Sequence, residues 1–118
     1  MLETRRLNSK DKVIITASLT GAVTTKKDNP NLPTQPEEIC ESALRCYEAG
    51  AAVVHIHVRD EQDNASMRFD IFEKTVGLIK KTGCPVLLNL TSSGGQGFSW
   101  EERIRPFQVL KPELASFD

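Results

Sequence analysis

The chain has 118 residues, with 15 basic against 16 acidic side chains for a formal charge of −1, and 39% of it is hydrophobic. That composition suits one small soluble domain with a modest core and leaves no electrostatic footprint for nucleic acid or a membrane surface. No stretch approaches the roughly 20 apolar residues of a membrane span, and the N-terminus lacks an apolar leader core, so the expected setting is the cytoplasm.

Residues 1–12 are polar and charged and read as a lead-in. The β-branched run at 13–19, Val-Ile-Ile-Thr-Ala-Ser-Leu, predicts a first strand that ends at Thr20-Gly21. The polar segment at 24–33 contains two prolines and two asparagines and reads as a loop above a strand end, where loops carry function. Pro36 opens a first helix, with Glu37 and Glu38 at its positive end. Ile39, Cys40, Ala43, Leu44 and Tyr47 form its apolar face, and Gly50 is placed to end it. Cys40, Cys46 and Cys84 are an odd set without a C-x-x-C pair, which fits reduced thiols and no catalytic cysteine.

The segment 51–60, Ala-Ala-Val-Val-His-Ile-His-Val-Arg-Asp, holds the chain's only two histidines. Side chains alternate along a strand, so Val53, His55 and His57 share one face. A covered strand is usually apolar on both faces, and paired imidazoles there need hydrogen-bond partners or a metal. His-x-His at a strand end supplies two neutral nitrogens to Zn²⁺, other strands giving the remaining ligands. The alternative is two separately satisfied histidines.

A loop is expected at 61–68, then a second helix with Phe69, Phe72, Val76 and Ile79 as its buried stripe, Lys80-Lys81 near its end and Gly83 as its stop. A third strand spans 85–91, with Leu87, Asn89 and Thr91 on one face. The run Ser92-Ser93-Gly94-Gly95-Gln96-Gly97 can offer backbone N–H groups and hydroxyls to a carboxylate or phosphate, as can many flexible loops. A third helix is expected from Trp100 to Leu110, with Trp100, Ile104 and Phe107 on one face and Pro106 kinking or shortening it. Residues 113–117 suggest a fourth strand, cut off at Asp118.

Alternation of strand and helix indicates a parallel sheet with right-handed crossovers. Thr20, His55, His57, Asn89, Thr91 and Ser116 gather at C-terminal strand ends, which is the catalytic face of a (β/α)₈ barrel. A complete barrel needs about 250 residues. The fold class expected is therefore α/β, about four βα units forming the N-terminal half of a TIM barrel over residues 13–118.

Seven segments carry a resemblance. They are Leu19-Thr20-Gly21-Ala22, Asn29-Pro30-Asn31-Leu32-Pro33, Pro36-Glu37-Glu38-Ile39, Glu48-Ala49-Gly50-Ala51, His55-Ile56-His57-Val58-Arg59-Asp60, Asn89-Leu90-Thr91 with Gly94-Gly95, and Leu110-Lys111-Pro112-Glu113. In this order they resemble the β-keto acid cleavage enzymes. The resemblance implies a zinc-dependent TIM barrel that converts a β-keto acid and acetyl-CoA into acetoacetate and a new acyl-CoA. His55 and His57 match the first two zinc ligands of that family. Thr91, or Ser92 if the Thr-Ser-Ser-Gly-Gly run is one residue longer than usual, falls with Gly95 and Ser116 on positions that hold the substrate's carboxylate end.

The resemblance also implies departures. Gln35 stands where the family often has a threonine N-cap, which predicts a start of the first helix weaker by about 1 kcal/mol, with no effect on chemistry. Val23 stands where aminohexanoate-cleaving members carry a glutamate that faces the substrate's ammonium, so a 5-amino substrate is not expected. The family's third zinc ligand, a glutamate, and its acid–base arginine and aspartate lie on late strands. No catalytic residue beyond the two metal ligands is thus expected here, and the chain alone is expected to be inactive. The open edges of strands one and four lead to an expectation of association with another copy or with a missing C-terminal half. Competing readings are a metal-dependent hydrolase of the barrel type, which also uses His-x-His on a strand, and a non-catalytic fragment that folds and associates.

Overall fold

The computed structural model describes residues 11–117; the lead-in at 1–10 and Asp118 lie outside the described residues. In chain order the elements are β1 (Thr16–Ser18), α1 (Pro36–Glu48), β2 (Val53–Ile56), β3 (Val58–Arg59), β4 (Ala65–Ser66), α2 (Phe69–Lys81), β5 (Leu87–Leu90), α3 (Trp100–Leu110) and β6 (Leu114–Ala115). Four strands make one parallel sheet in the order β1-β2-β5-β6, with α1, α2 and α3 in the crossovers. Neighbours in sequence are neighbours in the sheet, the arrangement of the first half of a (β/α)₈ barrel. Among the described residues no helix is long and apolar enough to cross a membrane.

The core lies between the helices and one face of the sheet. Val54, Ile56, Leu88 and Leu90 point from β2 and β5 into Ile39 and Ala43 of α1 and Phe72, Val76 and Ile79 of α2. The register aligns Ser18, His55, Asn89 and Leu114 in one row across the sheet. Leu87 and Leu114 are 41% and 44% exposed, so the face opposite the helices is largely open.

Several boundaries differ from expectation for physical reasons. β1 keeps three residues of the predicted seven because β2, its partner among the described residues, begins at Val53 opposite Thr16. Val13, Ile14 and Ile15 therefore stay exposed. The predicted histidine strand at 51–60 breaks at His57: Val58–Arg59 leaves the parallel sheet and pairs antiparallel with Ala65–Ser66. Asp60 drives that turn, its Oδ1 accepting the N–H groups of Gln62 and Asn64 at 2.9 Å each while Asp63 takes φ +65°. The expected loop at 61–68 thus contains half of a β-hairpin. On α2 the buried positions are Ile71, Phe72, Thr75, Val76 and Ile79. Phe69 is only half-buried and carries the Arg105 guanidinium 4.9 Å above its ring. α3 has the expected bounds, with a capping box between Ser99 and Glu102. Pro106 does not shorten it, being buried within the helix, but Trp100 stays 66% exposed. β6 is two residues long against the five expected.

Gln35 makes no side-chain cap hydrogen bond at the start of α1, which is held by other contacts. Glu38, one turn in, reaches back so that its Oε2 accepts the N–H groups of Thr34 (2.9 Å) and Gln35 (3.0 Å), while Oε1 accepts Lys26 Nζ at 2.7 Å. The Gln35 amide is freed for other work, donating to Asp60 O at 3.1 Å and Asp63 Oδ1 at 2.7 Å. The Lys26 contact first, and the two backbone donors after it, hold the Glu38 carboxyl at about 2 against an ordinary 4.5. A depressed folded value stabilises the fold at pH above the ordinary value, and that stabilisation is lost as pH falls from 4.5 toward about 2. The pair is half-exposed and screened by solvent, so Glu38→Gln is expected to cost about 1 kcal/mol at pH 7. Urea unfolding should show the gap between parent and variant closing as pH approaches 2; a gap independent of pH would assign the loss to packing.

Candidate metal and substrate site

β2 delivers His55 in register with Asn89 on β5, and His57 follows where the chain leaves the sheet. Both imidazoles are half-buried at the open face. Their Nε2 atoms lie 3.2 Å apart, with ring centroids 5.0 Å apart and planes at 74°. His55 Nδ1 is 3.1 Å from Asn89 Oδ1. A carbonyl oxygen only accepts, so His55 carries its proton on Nδ1 and turns the Nε2 lone pair toward His57. A proton on His57 Nε2 completes the contact.

This geometry fits a shared cation. Two imidazole nitrogens bound tetrahedrally at about 2.0–2.1 Å from one Zn²⁺ stand about 3.3–3.4 Å apart. The separation present is nearly that, and the Asn89 contact is the kind of outer support that fixes a ligating histidine's tautomer. Among the described residues no group of three or more His, Cys, Asp or Glu side chains is placed to hold a metal.

The loop after β5 sits beside this pair. Thr91 is buried, its N–H donating to Ile56 O at 3.1 Å and its Oγ1 accepting the Ser93 N–H at 2.9 Å. Ser92 and Ser116 meet: the Ser92 N–H donates to Ser116 Oγ at 3.0 Å and the hydroxyls are 3.5 Å apart. Ser116 is anchored through its own N–H to Leu90 O at 3.1 Å. Gly94 is required by contact, since a Cβ there would stand 2.6 Å from Ser66 O and press on Met67 Sδ. Gly95 adopts φ +116°, with Ala65 Cβ 3.3 Å from where its own Cβ would be. The structure thus gathers Thr91, Ser92, Gly95 and Ser116 around one loop. Val23 lies apart on the loop after β1 and is 86% exposed.

Two contributors were not singled out from the sequence. Asn89 was recognised as a polar strand-end residue, but its partnership with His55 depends on the register of β2 against β5. Arg59 is 2% exposed, and among the described residues its guanidinium donates to backbone carbonyls, those of Gly21, Thr24 and Asp63. Alternation places it on the same side as His57, which was the available signal.

Residues 12–118 match the family model for the beta-keto acid cleavage enzyme. The 3-keto-5-aminohexanoate cleavage enzyme of Acetoanaerobium sticklandii is 43% identical over 109 residues, 92% of this chain and 39% of that one. The 3,5-dioxohexanoate:acetyl-CoA acetone transferase of Paraburkholderia graminis is 36% identical over 93% of this chain and 36% of its own length. Among solved structures, ObcA in ternary complex with a C4-CoA adduct and oxalate superposes with a TM-score of 0.65 at 28% identity, over 75% of this chain and 23% of that one. The chain spans under two fifths of the length of each of these relatives. The match along nearly its whole length, on the parallel fold described above, makes this chain a member of the β-keto acid cleavage enzyme family.

Proposed function

We propose that the chain provides two metal ligands and the carboxylate-binding loop of a zinc-dependent enzyme that turns a β-keto acid and acetyl-CoA into acetoacetate and a new acyl-CoA. The observation that carries this reading is the 3.2 Å approach of His55 Nε2 and His57 Nε2, with Asn89 fixing the His55 tautomer. His55 and His57 would hold the ion, which when bound polarises a carbonyl and stabilises enolate charge. To admit it, His57 moves its proton from Nε2 to Nδ1, so that both Nε2 lone pairs face one point. The Ser92 and Ser116 hydroxyls, with Thr91 and Gly95 in the same loop, orient the substrate's carboxylate end. The third metal ligand and the acid–base groups belong to the late strands of the barrel, which would pair with the edges of β1 and β6. The setting for this chemistry is the cytoplasm.

The hydrolase alternative is displaced by family membership, while a non-catalytic associating fragment makes the opposite prediction in one assay. The chain alone is expected to form no acetoacetate from acetyl-CoA. Mixed with a polypeptide bearing a relative's late strands, it is expected to gain activity on uncharged β-keto acids in preference to 3-keto-5-aminohexanoate, because Val23 cannot pair with an ammonium. No activity in the mixture would favour the inert fragment; preference for the amino substrate would remove Val23 from the specificity argument.

A further inference from the structure

The hairpin of β3 and β4 touches both loops of the candidate site. On one side Arg59 donates Nε (3.1 Å) and Nη2 (2.8 Å) to Gly21 O, Nη2 to Thr24 O (2.8 Å) and Nη1 to Asp63 O (2.9 Å). The first two carbonyls flank the segment that bears Val23, and the third belongs to the hairpin's own turn. On the other side Ser66 O and Ala65 Cβ leave no free space for a side chain at Gly94 and little at Gly95. Gln35 ties the turn to the start of α1 through Asp60 O and Asp63 Oδ1. A guanidinium buried to 2% exposure and spent on carbonyls loses hydration without gaining a carboxylate. Its rigid fork can span three carbonyls at once, which an ammonium cannot.

We infer that Arg59 is a positioning residue for the substrate pocket: it fixes the Gly21–Thr24 segment, and with it Val23, relative to the histidine pair. This rests on the functional reading above, because Val23 matters only if the His55–His57 end of the sheet receives substrate. The hairpin then braces two loops at once, the Val23 segment through Arg59 and the glycine loop through the backbone of Ser66 beside Gly94.

The test uses the ¹⁵N-labelled full chain with Arg59→Lys and Arg59→Met variants. Backbone ¹⁵N order parameters at residues 21–24 are expected to fall below about 0.6 in both variants, with those in β2 and β5 unchanged. Co²⁺ serves as a paramagnetic probe of placement. In the parent it should shift the Val23 and Asn89 signals, and in the variants the Val23 shift should collapse while that of Asn89 stays. Unchanged order parameters at 21–24 overturn the inference, and so does a fall spread evenly over the sheet, which would make Arg59 a general stabilising residue. If Co²⁺ shifts no signal, the metal reading of His55 and His57 fails, and the order parameters alone decide the role of Arg59.

Discussion

Replacing either histidine with alanine is expected to weaken Zn²⁺ binding by the chain at least about 100-fold, and Asn89→Ala by about 10–100-fold. The reason is geometric. His55 Nε2 and His57 Nε2 already stand 3.2 Å apart, and the Asn89 carbonyl oxygen holds the proton of His55 on the far nitrogen. Removing one ring leaves a single imidazole, which binds a divalent ion no better than any surface histidine. Removing the Asn89 side chain leaves both rings present, but the His55 tautomer is free to invert and present an N–H to the ion. The ordering is therefore the diagnostic: each histidine variant loses more than the asparagine variant, and all lose more than a distant control such as Glu41→Ala. Competition titration with a chromogenic chelator reads these affinities. Histidine variants that bind as tightly as the parent would remove the metal from the proposed function.

Phe72→Ala carries the largest expected loss of stability, about 3–5 kcal/mol. Phe72 is fully buried on α2 in the cluster that joins Ile39 and Ala43 of α1 to Ile56 and Leu90 of the sheet. The void cannot collapse easily, because helices and sheet close on it from different sides and hold one another apart. A domain of this size has about 5–15 kcal/mol in total, so the variant should unfold at a much lower urea concentration, or be unfolded at 37 °C. A midpoint shift worth less than about 1 kcal/mol would mean that the helix layer tolerates rearrangement at this position.

Much of this architecture was legible in the chain. The three helices follow from spacing and stop signals: Pro36 opens α1, Gly50 (φ +112°) follows it, and Gly83 (φ +77°) follows α2. The histidine pair was readable because the strand period puts positions two apart on one face. What failed depended on partners distant in sequence. Val13, Ile14 and Ile15 have strong strand propensity, yet β1 is an edge strand whose length β2 decides. The hairpin of β3 and β4 is only two residues deep on each side, too short for alternation to stand out from the polar turn between them. The roles of Arg59 and Asn89 follow from where β2 and the hairpin dock, which no local pattern encodes.

The row Ser18, His55, Asn89 and Leu114 faces away from the helices, on a sheet face that is largely open. Unfolding this chain therefore uncovers less new apolar surface than unfolding a domain of equal length whose sheet is covered on both sides. Heat capacity change and denaturant slope both scale with that surface. The stability curve of residues 11–117 is accordingly expected to be shallow, and their melting broad in temperature and in urea. Covering the open face, as closure into a full barrel would, sharpens both transitions even before any new polar contact forms.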